Sequence, residues 1–284
     1  MSGCTPKQEE EKKEEKKADD GGTKKDEPPP EAPPPKMSKE NEDFFTSVDQ
    51  FIDSEIKRYT EKIEKKKEKY KAKNWDINEN EGEFKDFSDR ITELKKRKAE
   101  MAKVKTDVQG SASPDELLTL ANVVYNEAGS YGHDSKKAVA YAYLNRTGTP
   151  VREPQGAEIS DYKKLKDRWD GLSPDEKYSF LREFPDSVKA AKERLEDAKP
   201  ATNDPTKGST HWISPEAKIF DKKKGGNTQK RTIDGKVRFV PEWARSNSDP
   251  KVKKLQTGPK AILNSDFREL NTIPHFLFYK GVKF

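Results

Sequence analysis

The sequence predicts an α+β protein, with helices first and a small antiparallel sheet after them. Three observations carry this expectation. Apolar residues recur at helical spacing in successive segments up to Pro200. Two Ser-Pro-Asp-Glu segments, Ser113 to Glu116 and Ser173 to Glu176, have the composition of helix-starting capping boxes. Beyond Pro200 the pattern shortens to that of strands, and Asp234-Gly235 between Arg231-Thr232-Ile233 and Lys236-Val237-Arg238 is a two-residue hairpin signal.

Residues 1–42 are expected to be disordered. Glu/Lys runs occupy Glu9 to Lys17, and prolines cluster at Pro28–Pro30 and Pro33–Pro35. Mixed charge resists collapse and proline favours extended chain, so this segment has the character of a tether. Cys4, the only cysteine, excludes disulfides within the chain. Ser2-Gly3-Cys4 resembles the end of a bacterial lipobox, where a lipid is attached to cysteine. Lipidation at Cys4 would anchor the chain to a membrane, and it requires an exported precursor with an apolar segment upstream.

Residues 43–108 are expected to form a helical hairpin or coiled-coil spacer. Phe45, Val48, Ile52, Ile56, Tyr59, Ile63 and Tyr70 lie on one stripe, and Ile91, Leu94, Lys98 and Met101 on a second. Two helices alone are marginal. The stripe therefore needs a second copy of the hairpin, the following domain or another partner to cover it.

After the linker Val108-Gln109-Gly110-Ser111-Ala112 the texture becomes that of a compact domain, residues 111–284. Helices are expected from Ser113 to about Gly129, from Ser135 to Arg146, from Ser173 through Leu181, and from about Ser187 to Ala198. Strands are expected at Thr210–Ser214, Thr232–Val240 and Phe276–Tyr279. Residues 1–110 are expected to be dispensable for any activity of this domain.

Only 30% of the chain is hydrophobic, 38% is charged and the mean hydropathy is −1.18. The core must therefore be concentrated in these patterned segments. No apolar run reaches the length needed to span a bilayer. The segment 111–284 carries 31 basic and 24 acidic side chains, against 26 and 28 before it. A basic domain suits an anionic partner, and nucleic acid and bacterial cell wall both qualify. No DNA- or RNA-binding motif is present, so nucleic acid is not the expected partner. The three histidines lack HExxH or Cys/His spacing, so no metal and no cofactor is expected.

Glu127 is the candidate for chemistry. It lies three residues after Val124 and seven after Leu120, on the same helical face. A carboxyl on the core side of a last helical turn is costly to ionise, through burial and the negative end of the helix dipole. A carboxyl that holds its proton near neutral pH suits a general acid. The bland alternative is a rim glutamate paired with Lys or Arg.

Leu120-Ala121-Asn122-Val123-Val124-Tyr125-Asn126-Glu127-Ala128 resembles the opening motif of the SleB-like cell wall hydrolases, the spore-cortex-lytic type. The helix that follows in that family ends in Leu-Asn-Arg, as Ala138 to Arg146 does here. A second block, Asp204-Pro205-Thr206-Lys207-Gly208-Ser209-Thr210-His211-Trp212, also matches, and Pro215, Trp243-Ala244 and His275 to Tyr279 follow in order. The resemblance spans about 114–279. It implies a lysozyme-like helical domain with a small sheet, peptidoglycan glycan strands as substrate, and Glu127 as catalytic acid. It also implies substrate contacts at Tyr125, Asn145, His211, Trp212, His275 and Tyr279. Trp212 and Trp243 can stack on sugar rings or fill core, and His275 can serve the site or the fold.

Two departures bear on mechanism. The family often has Glu-Ala-Arg-Gly-Glu, whereas this chain reads Glu127-Ala128-Gly129-Ser130-Tyr131, without the second carboxylate. A Gln-Phe-Ser block is also not evident, and residues 159–182 stand as a lineage-specific cover. A single glutamate suits a lytic transglycosylase, in which the substrate supplies the nucleophile. Asp134 is the acid available should a second carboxylate be needed, as hydrolysis commonly requires. Three readings remain open: a muramidase-type hydrolase, a non-catalytic cell-wall-binding lipoprotein, and a scaffold built on the hairpin.

Overall fold

The structure is a computed structural model that describes residues 35–79, 81–147, 164–213, 228–233, 236–241, 244, 248–257, 263–273 and 276–282. The expectations for the tether up to residue 34, Cys4 included, for residues 159–163 of the cover, and for Pro215, Asp234-Gly235, Trp243 and His275 fall outside these residues.

Helix α1 runs from Lys39 to Ala72 and α2 from Gly82 to Gln109. At 34 residues α1 is about 50 Å long. The two pack antiparallel. Tyr70 meets Phe84 at 5.4 Å and Tyr59 meets Phe87 at 5.8 Å between ring centroids. Lys98, assigned to the apolar stripe from its spacing, bonds the Asp53 carboxylate across the hairpin at 2.6 Å.

The following elements are α3 (Pro114–Ala128), α4 (His133–Thr147), α5 (Leu165–Gly171) and α6 (Pro174–Leu195). Helix α3 is buried at Leu117, Leu118, Leu120, Ala121, Val123 and Val124, and α4 throughout Ala138 to Leu144. Both are central helices, which explains apolar residues on more than one side. The Ser173–Glu176 capping box forms, with Glu176 N–H donating to Ser173 Oγ and Ser173 N–H to Glu176 Oε2. The one expected at Ser113 does not. Ser113 adopts φ −141°, ψ 76°, away from the extended capping conformation, and its N–H donates to Ser111 Oγ. The acid beside it, Asp115, instead accepts from Ser38 N–H at 3.1 Å and Asn41 Nδ2 at 2.7 Å.

Those two bonds tie α1 to α3, and the core continues the connection. Phe44 is fully buried, edge-on to Trp169 of α5 and to Phe180 and Phe184 of α6, at 5.8–6.2 Å. Phe51 meets Trp169 at 5.5 Å and Tyr178 at 5.7 Å. Phe45, Val48, Ile52, Leu94, Met101, Val104 and Val108 join the same hydrophobic cluster as α3, α4 and α6. The proximal half of the hairpin is therefore covered by the following domain. Beyond Ile52 the stripe of α1 is only half-buried or exposed.

Two helices expected around Ser173 and Ser187 are one, because α6 continues through Pro185. A proline normally breaks a helix interior by removing one N–H. Here the packing of α6 on α3 and α4 in one core holds the helix together through the proline.

The short α7 (Pro200–Asn203) follows, then strands β1 (His211–Ile213), β2 (Thr228–Ile233) and β3 (Lys236–Pro241), helix α8 (Lys251–Gln256), and strands β4 (Leu263–Ile273) and β5 (Phe276–Val282). All pairings are antiparallel. β1-β5-β4 form one sheet and β2-β3 a second, with Ile233 opposite Lys236 as the hairpin signal requires. Val240, Ala244, Leu263, Leu277, Tyr279 and Val282 form a second, smaller core. Helices α5 and α8 and strand β4 lacked a sequence signal of their own. The fold is thus mostly helical with small antiparallel sheets, an α+β arrangement. Among the described residues no helix is long and apolar enough to cross a membrane.

Candidate functional site

Helix α3 delivers Glu127 half-buried to its last turn, following the fully buried Leu120 and Val124. The turn after it is tight. Gly129 N–H donates to the Tyr125 carbonyl at 2.8 Å, and a Cβ at Gly129 would lie 2.5 Å from that oxygen. Only glycine fits there without moving the backbone that carries Tyr125 and Glu127.

Trp212 reaches Glu127 from 85 residues away. Its Nε1–H donates to Glu127 Oε2 at 3.2 Å. The Asp204–Trp212 block explains how. Asp204 Oδ1 accepts from the N–H and Oγ1 of Thr206, at 2.7 and 2.6 Å. Its Oδ2 accepts from Gly208 N–H at 2.7 Å and Asn145 Nδ2 at 2.8 Å. The loop needs positive φ at Lys207 (54°) and Gly208 (80°), the latter a conformation glycine adopts at low cost. Asn145 Nδ2 also donates to the Ser209 carbonyl, pinning the loop to α4. β1 then leaves the loop in register with β5, with Trp212 opposite Phe278.

Glu127 lines an open cleft of about 390 Å³ with Tyr125, Asn126, Gly129, Ser130, Arg168, Ser179, Arg182 and Glu183. Arg168, from α5, lies over the Tyr125 ring at 5.4 Å and donates to Asn122 Oδ1 at 3.3 Å. Burial lowers the pKa of its guanidinium, and the charges of Tyr125 and Glu127 act in the opposite direction. Burial likewise raises the Tyr125 hydroxyl. A desolvated cation beside Glu127 can compensate the negative charge that a general acid acquires when it gives up its proton.

A second carboxylate, that of Glu183, lines the same cleft. It sits on α6, with its Oε2 3.4 Å from Lys136 Nζ. Lys136 is only 1% exposed, and it also bonds Asp186 Oδ2 at 3.0 Å. His133 Nδ1 lies 2.7 Å from the other Asp186 oxygen. Burial raises the Asp186 carboxyl, but Lys136 and His133 more than offset it, and its pKa lies below the ordinary carboxylate value. Asp134, the acid that sequence offered for a second role, is exposed in the first turn of α4 and is not among the cleft residues.

Of the residues singled out by sequence, the structure brings Tyr125, Glu127 and Trp212 together. Asn145 orders the loop that carries Trp212. His211 is buried beside that loop, its Nδ1 2.8 Å from Thr210 Oγ1. Burial, helped by the charge of Arg146, pushes its pKa down to about 3, so the ring is neutral at physiological pH. Tyr279 is fully buried in β5, opposite His211. Arg168, Arg182, Glu183 and Asn126 were missed. Asn126 adjoins Glu127 in the motif, whereas the other three arrive from α5 and α6, whose packing no local pattern encodes. Among the described residues, no group of three His, Cys, Asp or Glu side chains is arranged to hold a metal ion.

A scan against protein-family models and searches of curated proteins and of solved structures return no match to this chain. The likeness to cell wall hydrolases rests on the residues quoted above.

Proposed function

We propose that this chain cleaves peptidoglycan glycan strands between N-acetylmuramic acid and N-acetylglucosamine, as a lytic transglycosylase of lysozyme-like fold. The observation that carries the reading is the placement of Glu127. It combines a half-buried carboxyl at the wall of a cleft, an indole N–H on one oxygen and a guanidinium nearby.

In this reading the Glu127 carboxyl, oriented by the Trp212 N–H on Oε2, carries the proton. Glu127 donates that proton to the bridging oxygen as the bond from muramic C1 to that oxygen breaks, and N-acetylglucosamine leaves as an alcohol. Positive charge developing at C1 is met by the muramic C6 hydroxyl oxygen, which forms the new C1–O6 bond. The hydroxyl proton returns to Glu127, and a 1,6-anhydro ring closes. No water and no second carboxylate is consumed, so proximity within the substrate replaces an activated nucleophile. The Arg168 charge steadies the Glu127 carboxylate between the two proton transfers.

Glu183 favours a second reading, a muramidase-type hydrolase. Its carboxylate lines the same cleft and can position water. A substrate outside the cytoplasm fits a cell-envelope location, with anchoring through lipid on Cys4. The test is release of soluble fragments from purified peptidoglycan. The wild-type chain should release them, and Glu127→Gln, which keeps shape and removes the transferable proton, should not. Equal release by a folded Glu127→Gln variant would remove Glu127 from the reaction.

A further inference from the structure

The cleft holds a cation with no ion-pair partner among the described residues. Arg182 is exposed on α6 and lines the cleft with Glu127. One of its nitrogens, Nη2, donates to Ser179 Oγ at 3.2 Å, one turn back on the helix. Among the described residues no ion pair engages it. Helical spacing offers Arg182 one acid, Asp186, four residues on. That acid is already taken, by Lys136 at 3.0 Å and His133 at 2.7 Å. Glu183, the next residue, projects about 100° round the helix and faces Lys136 Nζ at 3.4 Å. Among the described residues the Ser179 bond is the one hydrogen bond that Arg182 makes, so the other guanidinium donors can serve a ligand in the cleft that it lines.

Asn126 is the second unused group. Both amide atoms of its side chain are shielded from solvent and have no hydrogen-bond partner among the described residues. Buried amides are seldom left so, because each unmade bond is costly. Turning this amide into the cleft breaks no hydrogen bond. Ser130 and Ser179 add hydroxyls to the same wall.

A guanidinium fork matches a carboxylate, and a primary amide matches a peptide or acetamido group. A plain amino-sugar strand offers acetamido groups and hydroxyls but no anion. The muramyl residue adds a lactyl ether substituent that ends in a carboxylate or continues into an acidic peptide. We propose that Arg182, with Asn126 beside it, forms the subsite for this carboxylate-bearing muramyl substituent. The inference rests on the glycan-cleaving reading for the identity of the ligand and makes Arg182 a specificity-determining residue.

Binding tests it without requiring turnover. Titration calorimetry on the full chain compares three disaccharides: N-acetylglucosaminyl-N-acetylmuramic acid with its stem peptide, the same sugar with only the lactyl carboxylate, and uncharged chitobiose. At least one muramyl ligand should bind about tenfold or more tighter than chitobiose, as one charged fork contact provides. Arg182→Gln should abolish that preference and leave chitobiose binding unchanged. Arg182→Lys, which keeps charge but loses the fork, should retain part of it. The muramyl arm with the larger loss identifies the peptide or the lactyl group as source of the carboxylate. Equal affinity for all three ligands, or an equal loss on all three in Arg182→Gln, would overturn the subsite. A muramyl preference carried by Arg182 in a chain that releases no strand fragments would leave the subsite standing and defeat the cleavage reading instead.

Discussion

Replacing Phe44 by alanine tests whether the hairpin and the helices after it fold as one unit. The ring is fully buried and packs on Phe45 at 5.0 Å as well as on Trp169, Phe180 and Phe184. Truncating a buried Phe to Ala costs about 3–5 kcal/mol through lost transfer energy and the cavity left behind. Edge-on aromatic pairs place Phe44 toward the upper half of that range, about 4 kcal/mol. Against a total stability of about 5–15 kcal/mol this is a large fraction. In a chain of this size it corresponds to roughly a 10 °C fall in Tm. The assay is urea and thermal unfolding followed by far-ultraviolet circular dichroism and by tryptophan fluorescence. Trp169, buried 5.5 Å from Phe51 and 6.2 Å from Phe44, reports on the junction. Both probes should shift together, in a single transition. A loss under about 1 kcal/mol, or a hairpin that melts while the Trp169 signal holds, would refute the shared core. By the same packing, a fragment starting at Ser111 leaves Trp169, Phe180 and Phe184 without their cover. It should fail to fold alone, which reverses the expectation that residues 1–110 are dispensable.

Trp212→Phe removes the donor to Glu127 Oε2 and keeps an aromatic ring, so strand cleavage should fall about tenfold with stability little changed; unaltered turnover would mean that the bond does not position the acid. Gly129→Ala forces a Cβ to within 2.5 Å of the Tyr125 carbonyl. It should cost about 1–3 kcal/mol in a urea melt, with a larger proportional loss of cleavage because the same turn carries Glu127; a neutral substitution would contradict the tight turn. His211, with a folded pKa of about 3, binds fewer protons in the folded chain than in the unfolded one, where the value is about 6.5. Stability is therefore fully present above about pH 6.5 and falls as pH drops toward 3, by a few kcal/mol, on the order of 5 at most. Unfolding measured across that range should flatten in His211→Gln, and an unchanged slope would exclude His211 as its source.

Local pattern made the helical half of the fold legible. The capping box at Ser173, the stripe of α1 and the face shared by Leu120, Val124 and Glu127 all follow from residues within two turns of one another. So does the pairing of Ile233 with Lys236, which the sequence Asp-Gly between them signals. What could not be read depended on distant partners. Pro185 reads as a stop, and packing on two helices overrides it. Helix α5 has seven residues and two buried apolar side chains, Leu165 and Trp169, too few to show a period. Yet α5 brings Arg168 to the cleft, and α6 brings Arg182 and Glu183. The second motif block named Trp212 but not its role. A side chain read as a stacking or core group turns out to be a hydrogen-bond donor to the candidate acid, a contact made only when β1 docks near the end of α3.

The most direct measurement of the central claim is mass spectrometry of the fragments that the purified chain releases from peptidoglycan strands. Cleavage by one glutamate, with the muramic C6 hydroxyl as nucleophile, predicts fragments ending in 1,6-anhydro-N-acetylmuramic acid. It also predicts their loss, by about a hundredfold or more, in Glu127→Gln. Fragments ending in reducing N-acetylmuramic acid would contradict the one-glutamate mechanism and assign the water-positioning role to a second acid, with Glu183 the first to replace.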